Sequence, residues 1–332
     1  MLSSNRYDAR SVINDIIITH DVFQRALDRM ESLWRDAESQ IPFVSLFVGE
    51  TGTGKSTIIR TFAMRHPQKR TPEGLIVPVL CINTPSKPTP RGLAERILHS
   101  LGDPRPTAGS ASSKLDRIVK NLVAAQVRAM VLDDLQHFVD KRQQIAIFDA
   151  SDYLKELIIS SGIGLFCFGL PESELVIESN EQLMTRSKAP FKLQRFDWTN
   201  KLSQNQFVAV LKGFQEEIKG FEFPDLTSPE MALRMYLATG GLIRYVAKVL
   251  SKALGNAIDT GTHTIRSEDL SNAWSEEVVG SNTEYEDPFS ANFSLTDLPN
   301  KVAHAKKIGQ RALRPTLKRQ RKPGSVLVDV GL

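Results

Sequence analysis

The sequence predicts an α/β protein: a three-layer parallel sheet joined to a small all-helical lid domain, with a flexible basic C-terminal tail. Three observations carry this expectation. Short apolar runs alternate with segments of helical spacing over the first 200 residues, the pattern of strand–crossover–strand units with right-handed connections. A glycine-rich loop lies between the first apolar run and the helix pattern that follows it. After about residue 200 the strand signals stop and only helical spacing continues.

Taken in order, a helix over 21–34 precedes the first strand, 43–48 (FVSLFV). Further strands are expected over 75–82 (LIVPVLCI), 129–133 (AMVLD), 163–168 and 190–196. Between them, 56–65, 91–101, 113–125 and 144–160 repeat apolar residues at helical intervals,. Four more helices are expected over 204–217, 228–238, 241–256 and 267–274. From 280 onward periodicity is lost and Pro, Ser and Asn punctuate the chain. The expected division is therefore an α/β domain over 1–200, a helical lid over 201–279 and a flexible basic tail over 280–332.

The 332 residues suffice for one large domain or two modest ones, and 41% hydrophobic with 24% charged residues is ordinary globular composition,. Cys81 and Cys167 both sit in apolar runs and are expected to be buried free thiols on strands,. No stretch reaches about 18 apolar residues, and the N-terminus lacks the apolar region of a signal peptide,. A cytoplasmic protein with no membrane partner is the expectation. The net charge of +4 is uneven: nine Lys and Arg fall between Lys301 and Lys322 with no acid among them, so the last 32 residues carry +8 and the first 300 carry −4. Such an end is either a solvated extension or an arm for nucleic acid or an acidic protein surface.

The run Gly49-Glu50-Thr51-Gly52-Thr53-Gly54-Lys55-Ser56-Thr57 matches G-x4-G-K-[ST],. Its glycines let the backbone wrap closely enough for N–H groups to meet phosphate oxygens, and the helix beginning near Lys55 adds its positive end. Gly49, Thr51, Gly52, Thr53, Gly54, Lys55, Ser56 and Thr57 are thus the expected phosphate cradle for ATP. Lys55 is expected to reach the β- and γ-phosphates and Ser56 to ligate Mg²⁺. A chance match in this length is on the order of 1%, and the motif lies between a strand and a helix as its chemistry requires. A second apolar strand ends in Asp133-Asp134, 78 residues after Lys55. Asp133 is the expected metal-side carboxylate, and Asp134 would polarise the attacking water.

With these pieces the chain resembles the AAA+ superfamily, and within it the TniB/TnsC group of transposition-regulator ATPases. The resemblance spans residues 18–274 and rests on THDVFQRALDRMESL, VGETGTGKST, VLDDLQHF, FGLPES followed by NEQLMTR, and ATGGLIRYVAKVLSKAL. It implies that 18–23 line the adenine pocket, that Arg186 is an arginine finger reaching a neighbouring subunit, and that Arg244 is the sensor-2 arginine. Arg195 is a rival finger. Two departures stand out. Position 134 is Asp where the family usually has Glu, so slow hydrolysis used as an assembly switch is expected. The end of the fourth strand, Phe168-Gly169-Leu170, offers no Asn or Thr, and Ser173 is the nearest hydroxyl.

The resemblance also implies assembly of the chain with itself as a ring or helix around duplex DNA, recruitment of a transposase, and a target-selection protein that is either a DNA-binding protein or part of an RNA-guided complex. Lys87, Arg91, Ser113 and Lys114, in loops after the second strand and before the next helix, are the expected DNA contacts, made to the backbone without base reading. The stretch 285–293 (YEDPFSANF) beside the basic end resembles a docking peptide,. The alternatives are a replication initiator or helicase loader of the same fold, and a protein-binding ATPase switch that does not bind DNA.

Overall fold

A computed structural model describes residues 13, 16–37, 42–72, 74–86, 88–139, 144–280 and 284–310. In chain order its strands are β1 (Val44–Gly49), β2 (Lys69–Thr71), β3 (Gly74–Ile76), β4 (Val79–Asn83), β5 (Ala129–Asp133), β6 (Gly164–Gly169) and β7 (Ser187–Leu193). Five of them make one sheet in the order β4-β5-β6-β1-β7, with every neighbouring pair parallel. β1 and β6 are buried along their whole length, which is why they read as unbroken apolar runs: both faces of a parallel sheet are covered by helices.

The two faces take alternate residues of each strand. On one, Phe47, Phe166 and Phe168 meet Phe23, Leu27 and Met30 of α1 (Asp21–Asp36) and Ile58 and Phe62 of α2 (Lys55–Arg65). The rings of Phe47 and Phe168 stack 4.7 Å apart at 9°. On the other, Leu46, Met130, Leu132 and Leu165 pack on α3 (Pro90–Ser100), α4 (Ala111–Ala124) and α5 (Gln144–Ser161). Two short helices, α6 (Glu174–Glu178) and α7 (Glu181–Arg186), lead from β6 to β7.

Two sequence expectations change here. The run expected as one strand over 75–82 breaks at Pro78, which has no N–H to give a ladder. Its first part turns into an antiparallel hairpin with β2, pairing Arg70 with Leu75, and only Val79 onward enters the sheet. Cys81 is exposed, because β4 is the sheet edge and buries only part of its residues; Cys167, on β6, is buried as expected.

The lid consists of α8 (Lys201–Glu217), α9 (Pro229–Thr239), α10 (Ile243–Thr260) and α11 (Ser267–Trp274). Asn200 and Ser228 cap the first two through side-chain oxygens that accept from Ser203 and Met231 amides,. Phe207, Val210, Leu211 and Phe214 form the buried stripe of α8. They meet Tyr236, Val246, Leu250 and Trp274 in a second core, where the Trp274 indole donates to the Ala238 carbonyl at 2.8 Å.

Residues 284–310, expected to belong to a flexible tail, pack against the lid instead. Phe289, Val302, Ala305 and Ile308 are all buried in the lid core, and 298–305 form helix α12 (Leu298–Ala305). Arg234 of α9 donates to the Ser290 carbonyl at 3.0 Å, and Lys306 pairs with Asp197 at 2.8 Å. Four apolar residues spread over twenty are too sparse to register as periodicity, yet they pack into the lid core,. The basic residues from Arg311 onward lie outside the described residues. Phe289 is 4% exposed, so Phe289→Ala costs about 3 kcal/mol and lowers the melting temperature of the full-length chain by several degrees. A calorimetric melt unchanged from wild type would show that this segment does not belong to the lid.

Candidate functional site

The loop between β1 and α2 turns tightly around its own carbonyls. Gly54, the N-cap of α2, has φ +94°, a backbone state that side chains disfavour,. Its carbonyl accepts from Thr57 and Ile58 at 3.0 Å each. The Thr53 hydroxyl donates to the Glu50 carbonyl at 2.9 Å, so Thr53 shapes the loop from within. Lys55 is only 9% exposed, and its Nζ donates to the carbonyls of Gly49 and Glu50 at 2.6 and 2.9 Å. Burial pushes its pKa down, opposed by the carboxylates of Asp133 and Asp134. A half-desolvated ammonium held over a loop of this shape is a prepared partner for an anion.

Across the cleft, β5 delivers two adjacent carboxylates. The Ser56 hydroxyl lies 3.4 Å from Asp133 Oδ2, and Asp133 Oδ1 accepts the Asp134 amide at 2.9 Å. Burial, then the neighbouring Asp134 charge, pushes the Asp133 pKa above the usual carboxylate value. A hydroxyl and a carboxylate that converge, with the carboxylate's charge only partly offset by Lys55 and its hydrogen bonds, fit the oxygen preference of Mg²⁺,. Asp134 itself takes φ +59°, which leaves its carboxylate beside Gln136. Gln136 is 7% exposed; its Nε2 donates to Asp134 Oδ1 at 2.8 Å and its Oε1 accepts the Leu170 amide at 3.2 Å.

These parts line one cleft of about 470 Å³ between the sheet and the lid. Thr51, Gly52, Gly54, Lys55, Ser56, Thr57, Asp133 and Asp134 form its polar end, joined by Arg60 and Gln136. Arg244 enters from the start of α10: its amide donates to the Gly52 carbonyl at 3.3 Å, and a Cβ on Gly52 would lie 3.0 Å from Arg244 Cβ. The opposite end is apolar, built from Ile13, Ile16, Phe214, Ile243 and Ala247. That end differs from the expected 18–23 segment. Phe23 starts the stripe by which α1 packs on the sheet, and Ile18 packs on Gly213 of α8, so Ile13 and Ile16 line the cleft instead.

The remaining expected residues are placed as follows. Gly49 ends β1 and contributes its carbonyl to Lys55 rather than lining the cleft. Arg186 ends α7 outside the cleft, where its guanidinium donates to the Gln182 carbonyl of its own helix at 2.9 Å. Ser173 is fully buried against Gly169 with no partner for its hydroxyl among the described residues. Arg91 is exposed and pairs with Glu95 at 2.9 Å, and Ser113 is half-buried in the first turn of α4. Lys87 lies outside the described residues. Lys114 corrects an expectation: its side chain is fully buried, and Nζ is held by the carbonyls of Thr107 and Gly109 at 2.9 and 3.0 Å and by Glu95 at 3.2 Å. It braces the loop before α4 and has no face left for a phosphate.

Arg195 was missed as a structural residue because it read as a free finger. Its guanidinium, 9% exposed, pairs with Glu50 through both carboxylate oxygens, with Nε to Oε1 at 3.0 Å. Its remaining nitrogen donates to the carbonyls of Gly240 and Ile308 at 3.1 Å each. The phosphate loop, the end of α9 and the C-terminal segment thus meet on one side chain. Gly241 allows this approach, since a Cβ there would lie 2.3 Å from the Phe196 carbonyl. Glu50 occupies one of the unspecified positions of the loop motif, so only the fold reveals its role.

A parallel sheet with a phosphate loop after β1, paired carboxylates ending β5 and an arginine-bearing helical lid defines a AAA+ module. The chain belongs to the family described as bacterial TniB protein, whose family model matches residues 9–198. No curated protein sequence matches it. Among solved structures, ORC2 of Aeropyrum pernix, solved with ADPNP and ADP, aligns with a TM-score of 0.58 at 16% identity, over 81% of this chain and 71% of that one. Cdc6p of Pyrobaculum aerophilum aligns at 0.55 and 17% identity, over 80% and 70%. ORC1 of Aeropyrum pernix, solved in complex with DNA, aligns at 0.55 and 19% identity, over 80% and 69%. At these identities the likeness is one of fold.

Two outcomes follow from the geometry. Arg195→Ala leaves Glu50 and two carbonyls without their donor and costs about 2–3 kcal/mol, less than a fully buried pair because Glu50 is part-exposed; a chemical denaturation midpoint equal to wild type would contradict it. Because the folded-state pKa of Asp133 lies above its unfolded value, stability falls as pH rises through that interval and stays lower above it,. Asp133→Asn therefore melts higher than wild type at neutral pH in the empty state. It also loses the thermal shift that Mg²⁺ adds to nucleotide; a variant that melts lower, or keeps the Mg²⁺ shift, refutes the assignment.

Proposed function

We propose that this protein is an ATP-dependent regulator of DNA transposition that assembles on duplex DNA, marks a target and recruits a transposase. One observation carries the reading most: the cleft joins the phosphate loop, the Asp133–Asp134 pair and the lid's Arg244, while Arg186 lies outside it. A site complete for binding and lacking one arginine is suited to completion by a second copy, which makes ATP an assembly signal.

In this reading Lys55 and the loop amides bind the phosphates, and Ser56 with Asp133 holds Mg²⁺, which would neutralise phosphate charge when bound. Ile13, Ile16 and Phe214 enclose the base. Asp134 orients and accepts a proton from the attacking water, and Arg244 together with a neighbour's Arg186 bears the charge that develops on the transferred group. Asp134 is one methylene shorter than the Glu usual at this place in the family it resembles, which fits slow turnover. Exposed Arg91 and half-buried Ser113 remain candidates for backbone contacts to DNA, with Lys87 four residues before Arg91. Family membership supports the transposition role, and the DNA-bound ORC1 of like fold supports DNA binding. The target-selection protein, whether DNA-binding or RNA-guided, belongs to the same proposal. No described helix is long and apolar enough to cross a membrane.

A second reading, a replication-initiator or helicase-loader type, is favoured by the ORC and Cdc6 proteins among the structures of like fold. Electron microscopy of the purified protein with duplex DNA separates the readings. With ATP, rings or filaments on DNA of arbitrary sequence are expected, absent with ADP and absent for Lys55→Ala. Monodisperse particles in every condition would remove DNA assembly and leave a nucleotide-dependent protein switch. Assembly confined to particular DNA sequences would favour the initiator type.

A further inference from the structure

The end of β6 has no polar side chain to face the cleft, and the geometry says why. A Cβ built on Gly169 would lie 2.1 Å from Ser173 Oγ and 3.0 Å from Gln136 Oε1, so a larger residue there would displace Ser173 and Gln136. The space is taken from the next strand over. Gln136 lies in the 3₁₀ turn Leu135–Phe138 that follows β5. It reaches across to accept the Leu170 amide at 3.2 Å and donates to Asp134 Oδ1 at 2.8 Å.

Chemistry fixes the orientation of this amide without ambiguity. A backbone N–H can only donate, so the Leu170 side must face Oε1; an ionised carboxylate can only accept, so the Asp134 side must face Nε2. Both groups are partly buried, so either one left without its partner loses a hydrogen bond that water replaces poorly. Gln136 is 7% exposed and lines the nucleotide cleft with Asp134. The amide therefore restrains one carboxylate oxygen of Asp134 and leaves Oδ2 for a water. Through Leu170 it also anchors the turn that leads into α6 and α7, at whose end Arg186 lies.

Resting on the hydrolytic reading above, we infer that Gln136 is the positioning residue for Asp134: its amide sets the carboxylate's direction toward the attacking water and ties it to the end of β6. The residue touches no phosphate in this role and acts through Asp134. Asp134 stands on a short side chain from a left-handed backbone position, so its reach is limited, and a displacement on the order of 1 Å can cost about a hundredfold in rate. The surrounding charges, Asp133, Lys55, Glu172 and Arg244, are the same in every variant below.

The test is ATP turnover by the full chain, alone and with duplex DNA, compared with nucleotide affinity. Gln136→Met keeps the side chain's shape and removes both hydrogen bonds. It is expected to lower kcat tenfold or more while the dissociation constant for ATP stays within twofold and the melting temperature within a few degrees. Gln136→Glu accepts from Leu170 but has no proton for Asp134, so its kcat is expected to fall as well; this variant decides the matter should the Met chain fail to fold. A merely structural role would weaken nucleotide binding and folding together with turnover. Turnover by either folded variant within twofold of wild type overturns the assignment alone. A wild-type protein that binds ATP but never hydrolyses it overturns the hydrolytic reading and the assignment together.

Discussion

The contact between Arg195 and Glu50 sits where three parts of the chain converge. Glu50 is in the phosphate loop, Arg195 follows the last strand of the sheet, and the carbonyls that share the guanidinium come from Gly240 of the lid and Ile308 of the C-terminal segment. A planar cation with five donors can satisfy a carboxylate and two carbonyls at once, which a lysine cannot. Lys306–Asp197 and the close pass of Gly240 beneath the Ala305 carbonyl lie next to it. The cleft lies between the sheet and the lid, so its shape depends on how they are held, and this tie holds them together beside the phosphate loop. Arg244, in the first turn of α10, lies against Gly52.

Much of the sheet was legible because a parallel strand buried on both faces leaves a continuous apolar run, as at FVSLFV and AMVLD. Where backbone chemistry interrupted the pattern, legibility failed. Pro78 splits one run into a hairpin arm and an edge strand, and an edge strand need not bury every side chain, so Cys81 faces out. The segment after 280 lacks helical spacing, yet Phe289, Val302, Ala305 and Ile308 each find a place in the lid core. Burial by a few scattered residues is a tertiary property that no local window contains.

The site divides in the same way. The phosphate loop and the Asp133–Asp134 pair are local motifs whose chemistry dictates their spacing, and they meet in one cleft. Arg244 was legible only through likeness to a family. Lys114 shows the opposite limit: a lysine in a Ser-rich loop reads as solvated, while its ammonium is the internal brace of that loop. Gln136 and Arg195 act on partners 34 and 145 residues away in the chain. Their placement comes from the strand order that brings β5 beside β6 and β1 beside β7. The Orc and Cdc6 proteins share the fold of this chain, and its family is that of the bacterial TniB protein.

In the proposed reading one nucleotide is held jointly by the sheet and the lid. Hydrogen–deuterium exchange of the full chain with and without MgATP addresses it directly. The account predicts protection that rises together, over a single titration, at Thr51–Thr57 of the loop, at Asp133–Gln136 and at Ile243–Ala247 of the lid, and that vanishes in all three for Lys55→Ala. Protection confined to the phosphate loop, with the lid unchanged at saturating nucleotide, would contradict it.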